Sequence, residues 1–282
     1  MTVYLNGVYM PLAEARIPVL DRGFMFGDGV YEFIPVYSRK PFRIREHLGR
    51  LQASLESIRL RNPLDVDEWC ERIDTLIAAQ DFDDQAVYIQ VTRGVAPRDS
   101  AFPANTAPTV FMMVHPLVTP TAELKASGVC AITAPDNRWL RCDIKAVSLL
   151  PNVLLRQAAV DEGCAETVLL RDGFLSEGTA SNIFVVQAGV LLAPPKSNLM
   201  LSGITYDVVL ELAAAHHIPH QVRPISEAEV RAADELWMTS SPKEVLAIVK
   251  LDGQPVGNGR PGPAALHMDA LYQQYKAEVM RK

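Results

Sequence analysis

The sequence is short of cysteine, lysine and long apolar runs. Four cysteines occur in 282 residues (Cys70, Cys130, Cys142 and Cys164), scattered and with no C-x-x-C pair. That pattern excludes a disulfide framework and a zinc site, and fits small, partly buried thiols in a reducing compartment. No apolar run reaches the ~18 residues needed to span a bilayer. The start, Met1-Thr2-Val3-Tyr4-Leu5-Asn6-Gly7, lacks the basic-then-apolar pattern of a secretory signal. A soluble, cytoplasmic chain is expected. Positive charge is not in excess either: 27 basic residues face 33 acidic ones, a net charge of −6. Broad attraction to nucleic acid or an anionic membrane is therefore not expected. Only 8 of the basic residues are lysines, against 19 arginines. Such a ratio favours planar binding of carboxylate or phosphate, although high-GC codon usage would produce it too. Repeats, charge blocks and low-complexity tracts are absent. With 49% hydrophobic and 21% charged residues, disordered, collagen-like and coiled-coil chains are excluded.

The chain is long enough for one large domain or two ordinary ones. Val3–Leu5 and Val8–Met10 flank Asn6-Gly7, a strong hairpin signal. Gly29–Tyr37 reads as a strand, followed by a turn at Ser38–Lys40. Arg45–Leu60 and Val66–Ala79 carry apolar residues at helical spacing, and Ala86–Arg93 and Thr109–His115 read as strands. Pro116 and Pro120 bracket Leu117-Val118-Thr119, the expected linker. These signals predict an N-terminal domain over 1–116, a linker over 117–121 and a C-terminal domain over 122–282. The second part is richer in strands: Gly128–Thr133, the hairpin Glu166–Leu170/Phe174–Ser176, the pair Ile183–Val186/Val190–Leu192, Glu235–Thr239 and Glu244–Val249. Helices are expected over Asn152–Glu162, Thr205–His216 and Ala264–Met280, with a capping box at Ser226 and Glu229. Strands and helices mix without regular βαβ alternation, so the fold class is α+β, not a Rossmann or TIM-barrel chain.

Several clusters could carry chemistry. Asp21-Arg22-Gly23-Phe24-Met25-Phe26-Gly27-Asp28-Gly29 is dense in glycine and charge before a strand. It is not a G-x-G-x-x-G opening a helix, so it is no nucleotide motif and reads as a turn. Lys145 sits in a semi-apolar stretch from Arg138. A lysine in a partly desolvated site can form a Schiff base with a carbonyl, whereas an ordinary lysine would snorkel to water. Leu201-Ser202-Gly203-Ile204-Thr205 opens a helix whose free amides suit a phosphate. Ser240 and Ser241 would add hydroxyls, and Glu177 can pair with a protonated ring nitrogen.

Taken together, the order of these clusters resembles the D-amino-acid transaminases, members of the fold-type-IV pyridoxal-phosphate enzymes. The resemblance runs through nearly the whole chain. It is carried by Asp21-Arg22-Gly23, Phe26-Gly27-Asp28-Gly29-Val30-Tyr31-Glu32, Glu46-His47-Leu48, Arg50-Leu51, Val91-Thr92-Arg93-Gly94 and Pro97-Arg98. It continues in Arg138-Trp139-Leu140-Arg141-Cys142-Asp143-Ile144-Lys145, Glu177-Gly178, Ser181-Asn182-Ile183-Phe184 and Gly203-Ile204-Thr205. It implies a two-domain fold, with a smaller N-terminal α/β domain and a β-rich pseudo-barrel C-terminal domain. The same family contains branched-chain aminotransferases, (R)-amine transaminases and aminodeoxychorismate lyases.

The implied cofactor is pyridoxal 5′-phosphate. Lys145 resembles the lysine that holds it as a Schiff base and shuttles the proton. Glu177 resembles the carboxylate on the pyridine nitrogen. Arg50, Ile204, Thr205 and Ser241 match the groups around the phosphate. Tyr31 and Arg138 resemble polar groups near the reactive edge. His47 would support Arg50 or pack on its helix, and Cys142 and Trp139 would pack beside the site. The implied substrates are a D-amino acid such as D-alanine and a 2-oxo acid such as 2-oxoglutarate or pyruvate, exchanged by ping-pong chemistry. In the resembled enzymes a tyrosine, an arginine and a histidine two residues after it trap the α-carboxylate. Here Tyr31 and Arg98 are present, but Ser100 stands at the histidine position. Losing one charge-assisted contact is worth about 1–3 kcal/mol. Phe33 adds bulk near the expected substrate pocket, which Ser240 also lines. An (R)-amine transaminase and a lyase of the aminodeoxychorismate type are the alternatives. The resemblance also implies a homodimer.

Overall fold

The computed structural model describes residues 1–282, which divide into two compact units. The first comprises Met1–Leu117, Ile144–Leu149 and Met280–Lys282; the second comprises Val118–Asp143 and Leu150–Val279. The break at 117/118 falls at the expected linker. Unlike the expected 122–282 domain, however, the second unit lacks Ile144–Leu149, which belongs to the first. The reason is burial and strand pairing. Ile144 and Ala146 lie in the first unit's core, Ala146 bridges Val30, and Val147 N–H donates to Gly29 C=O at 3.0 Å.

The first unit is built on six antiparallel strands: β1 (Thr2–Leu5), β2 (Val8–Pro11), β3 (Gly29–Tyr37), β4 (Lys40–Pro41), β5 (Gln85–Thr92) and β6 (Thr109–Pro116), in the order β2-β1-β6-β5-β3-β4. Asn6 and Gly7 both have positive φ, the turn that suits a two-residue hairpin. On β3, Val30, Glu32, Ile34 and Val36 point to one face by the period-2 rule. The apolar three join Val87, Ile89 and Val91 of β5 against two helices. Helix α1 (Arg22–Phe26) is short; α2 (Ile44–Ser57) buries Leu48, Leu51 and Leu55, and α3 (Val66–Ala78) buries Trp69, Ile73 and Leu76. Each such side chain contributes about 1.5–3 kcal/mol by leaving water. The Asp21–Gly29 stretch, read as a turn, thus contains α1. Asp21 caps it by accepting from Gly23 N–H, and Gly27 ends it in the left-handed region.

The second unit holds α4 (Ala122–Ser127), α5 (Leu150–Asp161), α6 (Ile204–Ala215), α7 (Glu227–Arg231), α8 (Pro263–Tyr275) and nine strands. The strands are β7 (Val129–Pro135), β8 (Glu166–Arg171), β9 (Phe174–Gly178), β10 (Asn182–Gln187), β11 (Val190–Ala193), β12 (His220–Val222), β13 (Glu235–Ser240), β14 (Glu244–Leu251) and β15 (Gln254–Pro255). Their order is β12-β11-β10-β13-β14-β7-β8-β9, with β15 on β14. Five strand spacings separate β10 from β9 along this order, about 24 Å if flat. Only Thr179–Ser181 connects them in the chain, a reach of about 14 Å from Gly178 to Asn182. The sheet must therefore curl, and the expected pseudo-barrel follows. Phe184 packs on Tyr206 of α6 and on Trp237 on one face, and Ile183, Val185, Leu236 and Met238 form a core on the other. Glu235 accepts from the first amides of α8 (Ala264 N–H at 3.0 Å, Ala265 N–H at 2.7 Å). The final helix ends at Tyr275 and gives way to a wider turn over Lys276–Met280, five residues before the expected end at Met280. No helix is long and apolar enough to cross a membrane.

Candidate active site

Each unit carries one group of the expected residues. In the first, Lys145 is fixed through its backbone. Its C=O accepts from Tyr31 N–H at 2.9 Å, and its N–H donates to Ser54 Oγ of α2 at 3.2 Å. The ammonium Nζ lies 4.3 Å from the centre of the Tyr31 ring. Tyr31 in turn stacks on Tyr88 at 5.8 Å, and burial with Tyr31 nearby pushes the Tyr88 hydroxyl up to about 12. Phe33, two residues along the same face of β3, is half-buried and approaches His115 at 5.9 Å.

Glu32 is the buried carboxylate that sequence reasoning gave no role. It points inward at a core position of β3, with its side chain wholly buried. Arg50 donates Nε to Glu32 Oε2 at 2.9 Å and Nη2 to Oε1 at 2.6 Å. His47 Nδ1 lies 3.0 Å from the same Oε1. Burial works against the carboxylate, but Arg50 and His47 hold its pKa well below the usual carboxylate range. Burial also pushes the His47 pKa down, so its ring is neutral and Nδ1–H donates to Glu32, while Nε2 is buried without a partner. Arg50 is therefore oriented by Glu32, with His47 bracing that carboxylate rather than Arg50 directly.

Arg98 and Ser100 lie exposed in the loop joining β5 to β6, with the Arg98 guanidinium 5.4 Å from the Phe26 ring.

In the second unit, Glu177 at the end of β9 is the centre. Its Oε1 accepts from Arg138 Nη1 at 2.7 Å and its Oε2 from Leu201 N–H at 3.1 Å. Burial pushes the carboxyl up to about 7 even against the Arg138 charge. Arg138 was expected near the reactive edge of a cofactor. It pairs with Glu177 and Asp136, the charged partners that a buried guanidinium requires. Burial also opposes the Asp136 charge, but Arg138, Arg171 and Ser176 together hold it down to about 2.

Asn182 ties this centre to helix α6. Its Nδ2 donates to Leu201 C=O at 2.9 Å, and its backbone pairs with Thr239 of β13. Leu201 is thus held at both its amide and its carbonyl. Two residues later Gly203 starts α6 with no capping side chain, so the amides of Ile204 and Thr205 open the helix. Ser240 ends β13 and Ser241 follows it, both half-buried, and Ser240 Oγ accepts from Lys243 N–H at 3.3 Å. Cys142 is buried and its thiol is pushed up to about 11, chiefly by burial. Trp139, expected to pack, is half exposed.

These donors fit pyridoxal phosphate. A buried carboxyl poised between its two forms suits a pyridinium N–H, and an uncapped helix start suits a phosphate. No group of three or more His, Cys, Asp or Glu side chains is arranged to hold a metal.

Comparison with known proteins agrees with the fold. The profile of the family described as amino-transferase class IV matches residues 29–251. A D-alanine aminotransferase of Bacillus licheniformis is 37% identical over 273 residues, covering 97% of this chain and 96% of its own. One from Staphylococcus aureus strain MW2 is 36% identical over 274 residues, covering 97% of each. Among solved structures, an Escherichia coli branched-chain amino acid aminotransferase superposes with a TM-score of 0.90 at 27% identity, over 99% of this chain and 94% of its own. A branched-chain aminotransferase from the archaeon Thermoproteus uzoniensis, solved with norvaline, gives 0.88 at 27% identity, over 100% and 97%. With the family profile spanning from β3 to β14 and relatives matched end to end, the chain belongs to the class IV aminotransferases, of fold type IV.

Proposed function

We propose that this aminotransferase uses pyridoxal 5′-phosphate to move an amino group from a D-amino acid of the D-alanine type to a 2-oxo acid. The observation that carries the cofactor reading is Glu177, a buried carboxyl with a pKa of about 7, braced by Arg138 and Leu201 N–H. The D-alanine aminotransferase relatives support the substrate class. In this reading the protein works as a homodimer in the cytoplasm.

When bound, the cofactor supplies an electron sink for the charge left at the substrate carbon as its proton departs. Lys145 would hold the cofactor through its amine, and that amine, once free, would carry the proton taken from the substrate Cα. Its rigid backbone, held by Tyr31 and Ser54, limits where Nζ can swing. Glu177 would accept a hydrogen bond from the ring nitrogen, and that positive neighbour would lower its pKa so that it serves as carboxylate. Arg138 and Leu201 hold it in place. The Ile204 and Thr205 amides and the Thr205 and Ser241 hydroxyls would hold the phosphate, a role the resemblance also gives Arg50, whose angle Glu32 sets. Tyr31, Arg98 and Ser100 receive the α-carboxylate, and Phe33 and Ser240 border the side chain. The same residues would serve both halves of the exchange, in which the amino group stays behind when the first oxo acid leaves and then passes to the second.

The test is a half-reaction on cofactor-loaded protein, with D-alanine, L-leucine and (R)-1-phenylethylamine added separately. D-Alanine is expected to shift the absorbance to that of the aminated cofactor. Conversion only by L-leucine or by the amine would overturn the D-amino-acid assignment. In the second case Ser100, which brings no charge to the carboxylate, is the residue that explains it.

A further inference from the structure

We infer that Arg22, Asp28 and Arg93 form a clamp that fixes the loop carrying Arg98 and Ser100, and so act as positioning residues for substrate-carboxylate binding. The inference rests on the proposed role of Arg98 and adds three residues that hold it without touching substrate.

The loop between β5 and β6 spans residues 93–108 without helix or strand of its own. Loops of that length inside a compact unit are uncommon unless they serve a binding role, and an unanchored one would carry a large entropy of ordering. This one is anchored twice. At its middle, Arg22 donates Nη1 to Asp99 C=O and Nη2 to Ser100 C=O at 3.4 Å. Those two carbonyls belong to the peptides on either side of Ser100, so the guanidinium fixes the backbone on the C-terminal side of Arg98. Arg22 is itself buried, at 3% exposure, on the first turn of α1. Two residues further on, the centre of the Phe102 ring lies 3.7 Å from the Arg93 guanidinium, with that of Arg59 at 5.5 Å.

One carboxylate joins the two anchors. Asp28 Oδ2 accepts from Arg22 Nε at 2.7 Å and from Arg93 Nε at 2.8 Å. The remaining Arg93 donors go to Ile58 C=O at 2.7 Å and Arg59 C=O at 3.4 Å, which ties the clamp to the end of α2. The Phe26 ring is shared: the Arg22 guanidinium lies 4.8 Å from its centre and that of Arg98 5.4 Å. The position of Arg98 is therefore set through both the backbone that follows it and a ring that Arg22 also engages. A rigid fork making three directed bonds is a task for arginine. A lysine keeps the charge but cannot bond Asp28 and both carbonyls at once.

The test compares Arg22→Lys, Phe102→Ala and Arg98→Ala in cofactor-loaded enzyme. Each is assayed for the KM and kcat of D-alanine. A second readout is the spectral rate of cofactor removal by hydroxylamine, a nucleophile with no carboxylate. Phe102 is half exposed, so its variant folds even if Arg22→Lys does not. The clamp predicts that Arg22→Lys and Phe102→Ala each raise the D-alanine KM about tenfold, as a displaced contact should. Their kcat stays within a few-fold and the hydroxylamine rate is unchanged. If Arg98→Ala raises KM but neither clamp variant does, the clamp is overturned while the carboxylate role of Arg98 stands. If Arg98→Ala leaves KM unchanged, that role falls and the clamp's purpose with it. Equal losses with D-alanine and hydroxylamine would mark a purely structural part and overturn the inference.

Discussion

Glu177 is an acid whose folded surroundings raise its pKa from the ordinary 4.5 to about 7. Between those values the folded protein binds a proton that the unfolded chain does not. The carboxyl thus favours folding at the acid end of the window, and that contribution is lost as pH rises through about 7. A glutamine there resembles the protonated form at every pH. In cofactor-free protein, Glu177→Gln is therefore expected to melt near the parent temperature at pH 5 and progressively above it toward pH 8. Calorimetric melting of both proteins across that range checks it, and parallel curves would reject the shifted carboxyl. The lone Glu32 shows what single residues reveal in sequence. It falls on the core side of Val30, Glu32, Ile34 and Val36, so its burial was legible from period-2 alternation. Its partners His47 and Arg50 stand on another element, and nothing local ties them to it. The pairing of Arg138 with Glu177 was illegible for the same reason, since the two stand 39 residues apart in the chain.

At the scale of elements, local chemistry read well where it was periodic or capped. The capping box at Ser226 and Glu229 is formed on both sides, and β3 runs over Gly29–Tyr37 as expected. Helix α4 was missed, although Thr121 caps it, because the two prolines before it read as linker. Helix α6 buries Tyr206, Val208, Val209, Leu212 and Ala213, more of its circumference than an amphipathic surface helix would. That burial reflects the sheet it packs on, which periodicity cannot show. What fixes the start of α6 relative to Glu177 is Asn182, through Leu201. Asn182→Ala leaves the Leu201 carbonyl without that donor and frees the segment 201–203. Removing one such bond is worth about 1–1.5 kcal/mol, or roughly tenfold. The expected outcome is a tenfold weaker dissociation constant for pyridoxal phosphate, with little change in melting temperature of the cofactor-free protein. Fluorescence titration of the cofactor measures it, and unchanged affinity would remove Asn182 from the phosphate-side scaffold.

At the scale of the whole chain, the two units are not two sequence segments. The chain passes between them after residues 117, 143, 149 and 279. Composition and turn signals can mark the first passage, because prolines punctuate it. They cannot mark the others, where six residues in the middle of the chain and three at its end belong to the first unit. Ile144 and Ala146 are under 10% exposed in that unit's core, and the 145–147 backbone bonds the start of β3 at Gly29 and Tyr31. At the end, Arg281 donates to both Asp84 oxygens and to Ser38. A fragment of residues 1–117 would thus keep its six strands but expose the floor beneath Ile144 and Ala146, and leave Tyr31 N–H and Gly29 C=O without these partners. Two apolar contacts and two backbone bonds together are worth several kcal/mol, a large part of the stability of a unit this size. The fragment is expected to bind a hydrophobic dye and to unfold at lower urea than the first unit does in the intact chain. A synthetic peptide covering 144–149 should reverse part of that loss. A fragment as stable as the intact chain's first unit, and indifferent to the peptide, would show that the Lys145 segment only visits this core. The lysine would then owe its position to something other than the edge of β3.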